Sequence, residues 1–315
     1  MNLGMKMSMR MNLHCNLNVA VVCSLATVLL VAGCGRRETD EIVRVSRQSS
    51  SGTYEFFREH VLKNKDFKLG SRDMNGSKEV VELVANTPTA IGYSGMGYAT
   101  PQVKMLKVAE KAGAPAYPPT VENTMNKTYP IARSLHVYTL GEPQGAVKAY
   151  IDWIMSDEGQ KIVEQTGYVP IPPDKRTRAP KPPELPAGQT VTIQNKGSDT
   201  MVNLAQAWAE AYHKIAPNVK IEVSGGGSGV GIAALIKGAV DIANSSRDLK
   251  PSEIEQAKKN TGKEPKEFTV GYDALAIYVH KDNPIEEITL EQLAEIFGEG
   301  GKITKWSQLG VQLKR

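Results

Sequence analysis

Cysteine is scarce in this chain: there are three, Cys15, Cys23 and Cys34. The first two fall in a leader-like segment, so the remainder has no material for an internal disulfide framework or a multi-cysteine metal site. An excess of one charge is also missing. A formal net charge of +4 over 315 residues, with no long block of like charge, gives no electrostatic case for binding nucleic acid. The five histidines, His14, His60, His136, His213 and His280, are scattered. None falls in the glycine- and serine-rich segments discussed below, so a serine nucleophile there would lack a histidine partner. No G-x-x-x-x-G-K-[ST] string occurs, and Gly229-Val-Gly231-Ile-Ala-Ala234, which matches G-x-G-x-x-A, is weak support for a dinucleotide when it stands alone. No catalytic residue, cofactor or metal is expected.

The amino-terminal segment, residues 1–33, reads as an address. Lys6 and Arg10 form a basic start, Leu17 to Ala32 is largely apolar, and Val31-Ala32-Gly33-Cys34 closes the stretch with small residues. That is the pattern of a secretory signal peptide. The apolar run is shorter than the ~20 residues a spanning helix needs. The closing residues resemble a bacterial lipobox, in which cleavage precedes a lipid-bearing cysteine, here Cys34. The expectation is an exported lipoprotein, anchored to a bacterial membrane through Cys34 and facing the periplasm or the cell surface.

The remainder is long enough for two domains of ordinary size. Its clearest internal boundary is the proline-rich run 172–188, PPDKRTRAPKPPELPAG, which reads as a semi-extended surface linker. On either side of it, strand and helix patterns alternate. Ile42–Val45, Ala90–Tyr93, Val191–Ile193, Val219–Val223, Val240–Ala243 and Ala274–Val279 read as strands. Helices are expected over Tyr54–Leu62, with Phe57, Val61 and Leu62 inward, and over Val80–Val84 and Val147–Met155. A longer one carries Met201, Leu204, Trp208, Ala211, Tyr212 and Ile215 on one face. Another follows Gly225–Gly229, and a last one opens on Thr289-Leu-Glu-Gln292, the spacing of a capping box. The alternation predicts an α/β fold with helices on sheet faces.

Three segments place small polar residues and glycine directly before a helix: Ser49-Ser50-Ser51-Gly52-Thr53, Gly197-Ser198-Asp199-Thr200 and Gly225-Gly226-Gly227-Ser228-Gly229. Each alone could be an ordinary N-cap. Together they suggest an anion site, because helix N-termini carry unpaired N–H groups and glycine admits a ligand close to the backbone. Arg47 stands before the first segment and Arg247 follows Asn244-Ser245-Ser246. A guanidinium can grip a tetrahedral oxyanion through two oxygens, and a surface salt bridge is the alternative for Arg247. Helix ends at ~1 kcal/mol each and charge-assisted hydrogen bonds at ~1.5–3 kcal/mol each reach the ~8 kcal/mol of micromolar binding without a metal.

Taken together, GSDTMVNLAQAWAEAY, VSGGGSGVGIAALIKGAVDIANSSR, SRQSSSGTYEFF, NTPTAIGYSGMGYA, YPIARSLHVY and GYVPI resemble the solute-binding proteins of Pst-type phosphate ABC transporters. The resemblance implies a two-lobed periplasmic-binding-protein fold holding inorganic phosphate in the interlobe cleft, with the permease subunits of an ABC transporter as partners. By motif, the phosphate contacts would be Arg47, Ser51, Gly52, Thr53, Asp199, Thr200, Ser228 and Ser246, with Arg247 added from its position. The order of segments differs from the family's. Lys305-Trp-Ser-Gln-Leu-Gly310 closes this chain and the Arg47 segment opens it, so the chain reads as a circular permutant in which 172–188 bridges the ancestral ends. One lobe is then expected from 41–128 plus 274–315 and the other from 129–273, with crossovers near Tyr129-Pro130-Ile131 and Tyr272-Asp273-Ala274. Ser49 and Ser246 stand where some family members place aspartates, and Asp199 is the expected acceptor for the proton of phosphate. The alternatives are an exported phosphatase-like enzyme and a phosphate-sensing or surface lipoprotein with no transport role.

Overall fold

The computed structural model describes residues 40–186 and 188–313. The expected signal segment and Cys34 lie outside the described residues. The described chain begins with β1 (Val43–Arg47), α1 (Gly52–His60), β2 (Arg72–Met74), α2 (Ser77–Ala85) and β3 (Ala90–Gly95). Short strands β4 (Val103–Met105), β5 (Lys107–Ala109) and β6 (Ala116–Tyr117) and helix α3 (Val121–Met125) follow. Then come β7 (Ala132–Leu140), α4 (Gly145–Ile154), α5 (Asp157–Gln165), β8 (Val191–Gly197), α6 (Val202–Ile215), β9 (Val219–Ser224), α7 (Ser228–Ile236) and β10 (Ile242–Ser245). Helix α8 (Pro251–Thr261), the long strand β11 (Pro265–His280), β12 (Glu287–Thr289) and α9 (Leu290–Phe297) complete the α/β fold.

The main sheet runs β2-β1-β3-β11-β7-β10-β8-β9, with β4 also on β11. Its two ends are parallel blocks, β2-β1-β3 and β10-β8-β9, as expected where strands are joined through intervening helices. Antiparallel strands β7 and β11 join the blocks. Strand β11 pairs with β7 from Pro265 to Ala274, then with β3 from Leu275 to Val279, so it changes partner within one residue. The apolar interior divides in the same way. One cluster holds Phe57, Ile91, Tyr93, Ile131, Ile277, Phe297 and Trp306, and another holds Leu135, Tyr150, Trp153, Trp208, Tyr212 and Val270.

Local signals explain most elements. Thr289 accepts a hydrogen bond from the Gln292 N–H at 3.0 Å, and Gln292 Oε1 accepts from the Thr289 N–H at 2.9 Å, which makes the expected capping box. Phe57, Val61 and Leu62 are buried, as are Met201, Leu204, Trp208 and Tyr212. Ile215, expected on that inward face, is instead 44% exposed because it is the last residue of α6, beyond the part that packs. The proline-rich run is pinned rather than loose: Thr177 N–H donates to Met155 O at 3.1 Å and Leu185 packs against the second cluster. Residues at the two ends of the described chain also meet. Ile42 N–H donates to Thr304 O at 2.8 Å and Trp306 N–H to Asp40 O at 2.9 Å. No helix among the described residues is long and apolar enough to cross a membrane.

Candidate anion-binding site

Three helix starts converge where the parallel blocks meet the β7–β11 pair. Ser51 caps α1, its Oγ accepting from the Thr53 N–H at 3.2 Å. Helix α7 begins at Ser228 after Gly227, whose φ of 97° lies in the region that favours glycine. A 3-10 turn over Asp199–Met201 leads into α6. The loops interlock: Gly229 N–H donates to Ser50 O at 2.9 Å, and Ser50 Oγ donates to Gly226 O at 3.2 Å.

Hydroxyls fill the centre. Thr53 and Thr200 Oγ1 are 2.8 Å apart, Ser198 Oγ donates to Ser246 Oγ at 3.0 Å, and Ser246 N–H donates to Ser228 Oγ at 3.1 Å. All of these residues, with Ser51, are buried. Gly52 sits against them so closely that a Cβ there would lie 2.3 Å from Ser228 Oγ and 2.8 Å from Ser246 Oγ. A side chain at position 52 would therefore collide with the hydroxyls of Ser228 and Ser246.

Two ion pairs border the cluster. Arg47, fully buried, donates to Asp199 Oδ2 at 3.1 Å, Ser77 Oγ at 2.9 Å and Asn75 O at 3.0 Å. Burial pushes its pKa down from the ordinary arginine value, against the opposing pull of Asp199. Asp199 Oδ1 accepts from the Gly226 N–H at 2.8 Å, so one carboxylate joins the arginine to the glycine loop. The second pair is Arg133–Asp273. Arg133 Nε and Nη2 donate to Asp273 Oδ2 at 2.9 and 2.8 Å, and Nη2 also donates to Thr53 Oγ1 at 3.0 Å and Thr200 Oγ1 at 3.3 Å. Asp273 is fully buried, and burial raises its carboxyl pKa although Arg133 and the Met96 N–H oppose the shift. Its position at the partner change of β11 puts this pair at the junction of the two parallel blocks.

The structure thus gathers Arg47, Ser51, Gly52, Thr53, Asp199, Thr200, Ser228 and Ser246. It does not bring Arg247 to them. The Arg247 guanidinium is held by Glu253, Nη1 to Oε2 at 2.9 Å and Nη2 to Oε1 at 2.7 Å, and by Asp248 O at 2.7 Å. The expectation for Arg247 is corrected accordingly, because a carboxylate in the first turn of α8 captures the fork. Sequence reading missed Arg133 and Asp273 as site residues, and left Ser198, although within the Gly197–Thr200 segment, out of the expected contacts. Arg133 lies inside YPIARSLHVY, and Asp273 is a lone acid in an otherwise apolar strand segment, which is the pattern of a buried, paired carboxylate. Ser49 is exposed. Among the described residues, no hydrogen bond joins a histidine to Ser51, Ser198, Ser228 or Ser246. A cavity of about 1000 Å³ is lined by Phe56, His60, Arg133, Arg247, Asp248 and Lys250 among others; Arg133 is where it borders the site, and the hydroxyl residues of the cluster do not line it.

The model of the PBP superfamily domain matches residues 37–158 and 183–314. Phosphate-binding protein PstS 2 of Streptococcus agalactiae is 30% identical over 313 residues, covering 95% of this chain and 99% of the relative. The chain belongs to the PstS family of the PBP superfamily. Phosphate-binding protein PstS of Pseudomonas aeruginosa is 37% identical over 130 residues, 40% of each chain. A crystal structure of a phosphate-binding protein of a phosphate ABC transporter from Streptococcus pneumoniae matches with a TM-score of 0.63 at 25% identity, covering 87% of this chain and all of that one. These PstS relatives carry the names of binding proteins rather than of enzymes.

Proposed function

We propose that the chain binds inorganic phosphate in the hydroxyl cluster and delivers it to an ABC transporter for import. The observation that carries this reading is the convergence of Thr53, Thr200, Ser198, Ser228 and Ser246 with Arg47 and Arg133 in one buried place. Two cations and two carboxylates border it, so selectivity rests on directed donors rather than on surplus charge. Hydroxyls rotate and can each turn an O–H toward an oxyanion. Two hydroxyls that donate to one phosphate stand about 4–5 Å apart, given O–H···O lengths near 2.7 Å. The Thr53–Thr200 contact of 2.8 Å therefore opens as the ion enters. We assign the two sides of this opening to lobes 41–128 plus 274–315 and 129–273, which is supported by the division of the apolar clusters and by the partner change in β11.

Arg47, Ser51, Gly52, Thr53, Asp199, Thr200, Ser228 and Ser246 are the proposed contacts, with Arg133 added. Asp199 is the proposed proton acceptor: phosphate near neutral pH can donate a proton to a carboxylate and sulfate cannot. Calorimetric titration with phosphate, arsenate and sulfate tests the reading. Micromolar or tighter phosphate binding with weak sulfate binding is expected, and Asp199→Asn should narrow that gap. Equal affinity for sulfate would overturn the specificity, and turnover of a chromogenic phosphate ester would overturn the binding-only role.

The proposed setting is extracytoplasmic, with a lipid on Cys34 holding the chain at the membrane near the permease. The proposed segment order is a circular permutation of the order in part of the family, one shared with relatives that align along nearly their whole length and supported by the contacts of 40–42 with 304–306. A gene reordered to begin after residue 188, with residue 315 joined to residue 40, should yield a protein that folds and binds phosphate alike. Failure of that protein to fold would count against the permutation.

A further inference from the structure

A second cluster lies away from the hydroxyls. His136 on β7, Glu267 on β11 and Asp248 in the loop between β10 and α8 each offer a ligand atom within 4.8 Å of the others. His136 is 3% exposed, yet neither ring nitrogen has a hydrogen-bond partner among the described residues. Carboxylate oxygens are nevertheless close: Asp248 Oδ1 is 3.0 Å from Nε2 and Glu267 Oε1 is 3.4 Å from Nδ1. They approach without the direction that an N–H donor requires. A buried imidazole left this way is costly unless something else satisfies it.

We propose that His136, Asp248 and Glu267 bind a divalent transition ion of the zinc class. The donor set is one imidazole and two carboxylates, which suits zinc and its neighbours. An ion uses only one of the two ring nitrogens; one nitrogen and one oxygen of each carboxylate lie within 4.8 Å of one another, so bonds of about 2.0–2.2 Å, with ligand atoms about 3.3–3.6 Å apart, draw the three groups together by roughly 1 Å. Three protein ligands leave a position for water. Tyr138 supplies an outer contact: its Oη donates to Glu267 Oε2 at 2.7 Å and leaves Oε1 toward the histidine. Asp248 lines the cavity beside the anion cluster and its side chain is 84% exposed, so an ion has a route in. The ion ties the loop after β10, which carries Ser246, to strands β7 and β11.

Calorimetric titration of the chelator-treated full chain with zinc tests the site. One saturable site per chain is expected. Because losing an outer contact alone costs about 10–100-fold in metal affinity, His136→Gln and Asp248→Asn should each weaken zinc by at least about tenfold. Asp248→Asn changes an exposed side chain and keeps the test valid if the buried histidine variant unfolds. His280→Gln, at a histidine outside the cluster, should bind as the wild type does. The proposal is overturned if no saturable site exists, as a simple ion pair would give, or if Asp248→Asn binds zinc unchanged.

Discussion

Asp273→Asn removes the charge of a fully buried carboxylate while keeping its shape. Its oxygens accept from Arg133 Nε and Nη2 at 2.9 and 2.8 Å and from the Met96 N–H at 2.9 Å. The substitution leaves a guanidinium at 1% exposure without its counter-charge. Breaking one side of a buried pair costs about 3–5 kcal/mol. For a domain of this size, at about 2–4 °C per kcal/mol, that amounts to a loss of about 6–20 °C in Tm. Urea unfolding followed by circular dichroism should show the loss in the midpoint with the slope unchanged. Both partners are buried, so the cost of removing two charges from water offsets much of their attraction. The double change Asp273→Leu with Arg133→Met should therefore be less damaging than Asp273→Asn alone. An Asp273→Asn protein within 1 kcal/mol of wild type would refute the claim that this pair is dry and mutually dependent.

Gly52→Ala puts a methyl 2.3 Å from Ser228 Oγ and should lower phosphate affinity by about 10²–10⁴-fold through two lost charge-assisted hydrogen bonds, read by titration. Arg247→Ala, by contrast, should change phosphate affinity by under about fivefold, since Glu253 already holds that guanidinium. The Glu253 carboxyl tests pH dependence. Burial alone would raise its pKa, but Arg247 and the Lys250 N–H outweigh burial and hold it below the usual value. A depressed carboxyl stabilises the fold above its unfolded pKa, and that contribution is lost as pH falls through the folded value. The Tm gap between wild type and Glu253→Gln should thus be steady near neutral pH and shrink below roughly pH 4.5.

Legibility in the sequence followed local chemistry. The Thr289–Gln292 capping box, the amphipathic face of α6 and the glycine turn before α7 are written in contiguous residues, and the structure places them there. Strand β7 was not legible because ARSLHVYTL puts arginine and histidine among apolar residues; both turn out to be buried by partners distant in sequence. Helix α8, PSEIEQAKKNT, buries little beyond Ala257 and so carries almost no apolar periodicity. The site shows the same limit. Glycine, serine and threonine before helices pointed to the hydroxyl cluster, whereas the arginine nearest Ser246 in sequence, Arg247, is taken by Glu253. Arg133 reaches the hydroxyls from a strand 113 residues before Ser246. Proximity in sequence favoured the wrong guanidinium, and only the β7–β11 crossing could correct it.

The central claim is that hydroxyls from both parallel blocks hold one phosphate. Titration of phosphate into wild type and into a Thr53→Val, Thr200→Val double variant, which keeps shape and removes both hydroxyls, tests it most directly. The account predicts one site of micromolar or tighter affinity in wild type and a loss of about 10²-fold or more in the variant. Phosphate binding that survives both substitutions unchanged would contradict it.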